Sequence, residues 1–173
     1  PIGLCATAGA RLLGATTIIA VDGNDHRLGI AQKMGADVTL NFKNCDVIDE
    51  IMKITGGRGA DSAIEALGTQ ATFESALRSI KPGGTLSSLG VYSEDLKIPL
   101  SAFAAGLGDH KINTALCPGG KERMRRLMNV LASNRLDLGL LVTHQYKLDD
   151  IVAAYDLFAH QRDGVLKVAI KPQ

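Results

Sequence analysis

Tryptophan is absent from the 173-residue chain, and aromatic residues make up only 4% of it. That scarcity argues against an aromatic-lined RNA platform or a lectin-like sandwich, and it suits an Ala/Gly/Val/Ile-rich layered α/β domain. Cysteine is nearly as scarce. Cys5, Cys45 and Cys117 form no C-x-x-C pair and are too few and too scattered for a disulfide framework, so a reducing, cytoplasmic setting is expected. Net charge is missing as well. Nineteen basic against 18 acidic side chains leave a formal +1, which gives no global pull toward nucleic acid or an anionic membrane surface. No apolar run is long enough to span a bilayer. The sequence also contains neither a G-x-x-x-x-G-K-[ST] phosphate loop nor a nucleophile elbow.

What is there is 46% hydrophobic and 21% charged, a composition that fills the core of one ordinary domain and argues against disorder. The chain opens at Pro1-Ile2-Gly3-Leu4-Cys5-Ala6, helix-like at once and without the basic start of a signal peptide. The expectation is a chain cut into from its N-terminal side.

The hydrophobic period alternates along the chain. Ile2, Cys5, Ala6, Ala10 and Leu13 recur at helical spacing up to Gly14, and Thr17-Ile18-Ile19-Ala20-Val21-Asp22 reads as a strand buried on both faces. Asp25 is placed to cap a helix carrying Leu28, Ala31 and Met34, closed by Gly35. Val38-Thr39-Leu40 is a strand, and Val47, Ile48, Ile51, Met52 and Ile54 line a helix that stops at Gly56-Gly57. Residues 61–66 form a strand, 69–80 a helix, and Lys81-Pro82-Gly83-Gly84 a turn before a strand over 85–91. Beyond that, short strands are expected over 96–100 and 111–116 and a basic helix to about residue 134. A strand over 141–146, a helix over 148–160 and a closing strand over 166–170 complete the chain. Strand-helix alternation with short glycine joints implies a parallel sheet with helices on both faces.

A glycine at residue 3 opens a helix, and the following strand ends in Asp22, roughly 20 residues on, the spacing at which a dinucleotide fingerprint places its acid. Such a carboxylate accepts hydrogen bonds from the ribose hydroxyls and repels a 2′-phosphate, while phosphate charge suits a helix N-terminus. The first two fingerprint glycines are absent, so the residues alone equally fit a close-packing glycine and a strand-end acid in any flavodoxin-like domain.

The runs Pro1-Ile2-Gly3-Leu4, Gly14-Ala15, Ile19-Ala20-Val21-Asp22, Arg27-Leu28 and Met34-Gly35-Ala36-Asp37 resemble the cofactor domain of medium-chain, zinc-dependent alcohol dehydrogenases. Gly59-Ala60-Asp61, Glu65, Gly68-Thr69, Lys81-Pro82-Gly83-Gly84, Leu89-Gly90-Val91-Tyr92 and Leu141-Val142-Thr143-His144 continue the match in order. Cys117-Pro118-Gly119-Gly120 with Asn134-Arg135-Leu136-Asp137-Leu138 is most similar to the microbial secondary-alcohol, isopropanol-dehydrogenase-like branch.

The resemblance implies a Rossmann-type doubly wound parallel sheet over residues 1–173 that lacks the first strand and Gly-x-Gly, with roughly the last 15 residues returning toward an absent catalytic domain. Since that first strand is central in the usual order, between the strands carrying Asp22 and Ala66, a rearrangement that closes or fills the gap, or chain upstream of Pro1, is expected. By similarity, Ile2 and Gly3 lie against the cofactor, Asp22 binds the adenosine ribose and Arg27 flanks that site. NADP-using relatives replace the acid with a small neutral residue, so NAD is implied. Ala66, Leu67 and Gly68, with Leu89, Gly90 and Val91, line the nicotinamide half. Asn113 and Thr114 match the segment whose backbone holds the carboxamide, although an ordinary edge strand fits them equally. Lys167 matches a late basic residue that reaches the pyrophosphate.

Zinc needs converging Cys, His or acidic ligands, and Cys5, Cys45, Cys117, His26, His110, His144 and His160 show no paired ligand spacing. Cys5 and Cys45 read as small core residues and the histidines as surface or packing residues. The resemblance places the zinc ligands and proton relay of the parent enzyme in another domain, so no metal site and no catalytic residue is expected here. Lys121, Arg123, Arg125 and Arg126 surround Met124, Leu127, Met128 and Leu131, a solvated basic face around an apolar stripe expected to pack on a sheet. The implied parent is an oligomeric (dimeric or tetrameric) NAD-dependent oxidoreductase of small secondary alcohols or ketones, and the chain alone is expected to be inactive. Two alternatives stay open: a non-catalytic nucleotide-binding or assembly module, and a domain of a polyol or threonine dehydrogenase of the same superfamily.

Overall fold

Short β-branched segments that end in glycine or a capping residue make strands that must hand over to helices, because parallel strands cannot be joined by tight hairpins. The computed structural model describes residues 1–172 in this way; Gln173, the end of the expected domain, lies outside them. In chain order the elements are α1 (Ile2–Leu12), β1 (Ile19–Asp22), α2 (Asp25–Lys33), β2 (Val38–Asn41), α3 (Val47–Ile54), β3 (Ala60–Glu65), α4 (Gln70–Ser79) and β4 (Ile80–Ser88). They are followed by β5 (Lys111–Thr114), α5 (Lys121–Ala132), β6 (Val142–Lys147), α6 (Ile151–Ala159) and β7 (Lys167–Lys171). Every strand pairing is parallel, as expected, in three sets ordered β1-β2, β3-β4-β5 and β6-β7. Among the described residues no helix is long and apolar enough to cross a membrane.

Two apolar clusters hold these layers. Leu4 and Ala8 of α1 meet Ile18, Ile30, Ala31, Met34, Leu141 and Leu166, while Phe73 and Leu77 of α4 pack on Ile80, Leu86 and Ala102. Capping fixes where the helices begin. Thr69 and Thr72 form a reciprocal capping box at α4, and Asp46 accepts the Asp49 N–H at α3. Arg11 closes the far end of α1 by donating to the Gly35 carbonyl at 2.8 Å and pairing with Asp37, whose other oxygen accepts the Ile18 N–H at 2.8 Å. One guanidinium thereby ties α1, the end of α2 and the entry to β1.

Several expectations are corrected. The buried face of α1 is Leu4, Thr7 and Ala8, not the Ile2–Cys5–Leu13 stripe, and Leu13 is 91% exposed. The cap of α2 is Asn24, whose side chain accepts the His26 and Arg27 N–H groups; Asp25 is already helical. Lys81-Pro82-Gly83-Gly84 does not separate a helix from a strand. It is an irregularity inside β4, where the register jumps from Ala60↔Ile80 to Ser62↔Thr85. The strand then ends at Ser88 rather than at residue 91. Residues 96–100 form no strand, because the Gln70 side chain takes both the N–H and the carbonyl of Lys97. The apolar stripe of α5 is not packed on a sheet; none of its residues is buried.

Of the two alternatives expected for the missing central strand, a rearrangement that closes the sheet is not seen. Among the described residues no strand joins the β1-β2 pair to the β3-β4-β5 set. Val21 and Ile64, on β1 and β3, are accordingly 44% and 46% exposed rather than buried on both faces. Leu86, at the centre of the three-stranded set, has no exposed surface. Leu86→Ala is expected to lower unfolding free energy by about 3 kcal/mol in urea titrations, and Leu13→Ala to change it by less than about 0.5 kcal/mol. Equal losses at the two positions would contradict this assignment of the core.

Candidate functional site

Parallel registers align strand ends, and here they set the C-terminal residues side by side. Asp22 lies opposite Asn41, Glu65 opposite Ser88, and Ser88 opposite Thr114. Strand carboxyl ends are where open α/β sheets bind ligands. The residues singled out from the sequence gather at two places along this edge.

The first is the end of β1. Asp22 is half-buried, its Oδ1 accepts the Asn24 N–H at 3.0 Å, and its Oδ2 lies 3.9 Å from the Arg27 guanidinium. Arg27 also donates to Gln161 at 3.1 Å, which docks the loop after α6 onto α2. The charges of Arg27, Lys167 and Asp22 all act at the amino end of α1, an 11-residue helix. Ile2 and Gly3 form its first turn and are exposed. A Cβ on Gly3 would stand in ordinary contact, 4.0 Å, from that of Ala66. Lys167 reaches this place because Leu166 before it is buried beside Leu4 and Ala8.

The second place is the crossing of the β3 and β4 exits. Glu65 is only 3% exposed, and its carboxylate is surrounded by donors. Oε1 accepts from the Leu67 N–H at 2.7 Å, the Gly68 N–H at 2.8 Å and the Thr72 hydroxyl at 2.8 Å. Oε2 accepts from the Tyr92 hydroxyl at 2.7 Å, with Ser88 Oγ at 3.4 Å and a 2.6 Å hydrogen bond between Ser88 and Tyr92. Burial by itself would raise this carboxyl's pKa; the Gly68, Tyr92, Leu67 and Thr72 donors outweigh it and hold the group below the usual range. Tyr92 is pushed up, by burial first and with help from the Glu65 charge. Around this centre lie Ala66, Leu67, Gly68, Leu89, Gly90 and Val91, with the side chains of Leu67 and Val91 67% and 83% exposed. Asn113 and Thr114 pair with Ser87 and Ser88 on β5, at the outer side of the set.

Sequence reasoning did not single out Thr72, Ser88 and Tyr92 as partners, nor Gln161. The available signal was a lone glutamate in an otherwise apolar strand end, Ala63-Ile64-Glu65-Ala66, which demands donors from wherever the fold can bring them. The three cysteines are free thiols, and Cys5 is exposed rather than in the core because it lies off the Leu4–Ala8 face. Among the described residues no three His, Cys, Asp or Glu side chains converge on a metal position. On α5, Arg125 and Arg126 both bond to Glu122 in the open.

The depressed Glu65 pKa has a sign that stability measurements can read. The unfolded chain binds the proton first as pH falls, so the stabilisation is complete above about pH 4.3, the ordinary glutamate value, and is lost as pH drops through the folded value. The exposed carboxylates of Asp37, Asp61 and Glu122 are lowered too, by their Arg11, Lys81 and Arg125 partners, and contribute equally to variants that leave them intact. From about pH 5 to about pH 3, the urea midpoint of the unaltered chain is therefore expected to fall more steeply than that of Glu65→Gln. Parallel acid profiles would show that Glu65 is not held in its charged form.

The family model described as zinc-binding dehydrogenase matches residues 1–133. An alcohol dehydrogenase of Cupriavidus necator is 84% identical over 172 residues, which make up 99% of this chain and 47% of that protein. The NADP-dependent isopropanol dehydrogenase of Thermoanaerobacter brockii is 35% identical over 173 residues, 98% of this chain and 49% of that one. Among solved structures, the zinc dependent alcohol dehydrogenase 2 from Streptococcus pneumonia superposes with a TM-score of 0.88 at 32% identity, covering 97% of this chain and 48% of that one. The chain thus spans about half the length of the relatives it matches. With a parallel α/β architecture, a strand-end acid beside a helix N-terminus and a family match over residues 1–133, the chain belongs to the zinc-binding dehydrogenase family.

Proposed function

We propose that this chain is the nucleotide-holding domain of an NAD-dependent alcohol dehydrogenase that acts on small secondary alcohols or ketones. The observation that carries the reading is Asp22, a half-exposed carboxylate at the end of β1 beside the Asn24-capped start of α2 and the Arg27 guanidinium. Bound there, NAD would accept or return a hydride at its nicotinamide ring. The chain's own work is positioning. Asp22 accepts hydrogen bonds from the adenosine ribose and Arg27 flanks it, while Ile2 and Gly3 border the dinucleotide and Lys167 attracts the pyrophosphate. Ala66, Leu67, Gly68, Leu89, Gly90 and Val91 line the nicotinamide half, with Asn113 and Thr114 holding the carboxamide through their backbone. None of these residues is a proton donor or acceptor for the reaction. Since no three described ligand side chains converge, the residues here do not fit a zinc ion, and no step of the proposal uses one.

A carboxylate at the ribose repels a 2′-phosphate, so NAD is favoured over NADP even though the Thermoanaerobacter relative is named NADP-dependent. Titration calorimetry is expected to show saturable NAD binding that weakens about tenfold in Asp22→Ala, with NADP binding improved relative to NAD in that variant. NADP binding tighter than NAD in the unaltered chain would overturn the cofactor assignment. The chain alone is expected to give no turnover with NAD and propan-2-ol; turnover above background would show that it carries the catalytic groups itself. The exposed edge of β5, which pairs only with β4 among the described residues, is where self-association is expected, as a dimer or tetramer in light scattering.

A further inference from the structure

Both oxygens of the buried Glu65 carboxylate are engaged: the Leu67 and Gly68 amides and the Thr72 hydroxyl reach Oε1, and the Tyr92 hydroxyl, itself bonded to Ser88, reaches Oε2. Its role is therefore in what it holds. Glu65 holds two separate stretches of chain. Through Oε1 it fixes the Leu67 and Gly68 amides, the turn that leaves β3, and through Oε2 it fixes Tyr92, beyond the exit of β4. Its own carbonyl accepts the Leu89 N–H at 2.8 Å. The two exits are in backbone-to-backbone contact. A Cβ on Gly90 would fall 2.3 Å from the Gly68 nitrogen and 2.5 Å from Glu65 Oε2, and one on Gly68, whose φ is +96°, would fall 2.4 Å from the Val91 carbonyl oxygen. Tyr92 is held in turn by an edge-on contact with Phe73 of α4, ring centroids 6.2 Å apart. Outside this clasp, the exposed aliphatic side chains of Leu67 and Val91 face solvent.

We propose that Glu65 is a positioning residue for the nicotinamide half of the dinucleotide: its carboxylate locks the β3 and β4 exits into one crossing, so that the surface formed by residues 66–68 and 89–91 is preformed before ligand arrives. The inference rests on the dinucleotide reading above and adds to it a division of labour. Recognition at Asp22 is separate from the clasp in its own contacts: among the described residues Asp22 bonds Asn24 and pairs with Arg27, and neither of these touches Glu65 or its donors. Preorganisation of this kind strengthens binding by removing the ordering cost of the loops.

The test compares AMP, which has only the adenosine half, with NADH, which has both. NADH fluorescence suits this chain because it has no tryptophan. Glu65→Ala is expected to weaken NADH about tenfold while AMP stays within about twofold, and Tyr92→Phe, which removes one hydroxyl at the rim, to weaken NADH about threefold with AMP unchanged. Glu65→Gln retains the oxygen that faces Leu67 and Gly68 and is expected to restore most of the NADH affinity. If Glu65→Ala does not fold, Tyr92→Phe and Glu65→Gln decide the matter. Parallel losses of AMP and NADH in Tyr92→Phe, or no loss of NADH in either Tyr92→Phe or Glu65→Ala, would overturn the clasp and leave the dinucleotide reading standing. Failure of the unaltered chain to bind either ligand at millimolar concentration would overturn both.

Discussion

A carboxylate leaves water only where the fold supplies donors for its lone pairs, and Glu65 meets that condition with groups from four places in the chain. Two are backbone amides of the turn that follows it, one is the hydroxyl of Thr72 at the start of α4, and the others come from Ser88 and Tyr92 at the exit of β4. Each donor is fixed by a further constraint. Thr72 belongs to the capping box of α4, Ser88 is in register opposite Glu65, and Tyr92 leans on Phe73 in the second apolar cluster. Removing the whole carboxylate would therefore loosen the end of β3, the start of α4 and the exit of β4 together. Gly68 and Gly90 are part of the same condition, since a side chain at either would collide with backbone at distances no atom pair tolerates.

The arrangement also explains why strand ends here are shaped by polar groups and strand middles by apolar ones. Leu86 is wholly enclosed at the centre of β4, whereas two residues later Ser88 turns its hydroxyl to Glu65. The residues of β4 alternate as the pleat requires, so its C-terminal end is reached with the buried Ser88 hydroxyl hydrogen-bonded.

Much of this was legible in the sequence, and the exceptions share a cause. Strand-helix alternation, the glycine stops after α1, α2 and α3, and the acid closing β1 follow from local rules, because φ > 0 at Gly14, Gly35, Gly56 and Gly57 and the β-branched runs act over a few residues. The face that α1 buries was not legible. Its sequence is apolar almost all round, so periodicity cannot choose between Ile2–Cys5–Leu13 and Leu4–Ala8. The choice is made by Arg11 gripping Gly35 and Asp37 from a distance in sequence. Leu96, Ile98 and Leu100 alternate like a strand, yet Gln70 satisfies Lys97 with a side-chain amide, doing what a neighbouring strand would have done. Asn24 and Asp25 are both capable caps, and the bond from the Asn24 N–H to Asp22 decides between them. In the site, Asp22 was visible by spacing, whereas the partners of Glu65 lie 7, 23 and 27 residues away and only tertiary structure joins them.

The two halves of the edge are connected less by the sheet than by α1. No ladder of hydrogen bonds links β1 to β3 among the described residues, yet α1 packs on α2, touches β3 and brings Gly3 within contact distance of Ala66. Leu4 and Ala8 bind it to the cluster that carries Ile18 and Leu166, and through Leu166 to Lys167. The amino end of this one helix therefore lies between Asp22 and Arg27 on one side and Ala66, next to the Glu65 clasp, on the other. A helix can serve as such a junction because its backbone bonds are internal, so it transmits position rigidly from one end to the other. The spacing between the Asp22 and Glu65 ends of the edge is thus set by how α1 seats, which makes its packing, and the Arg11 grip at its far end, as consequential for the edge as any residue on it.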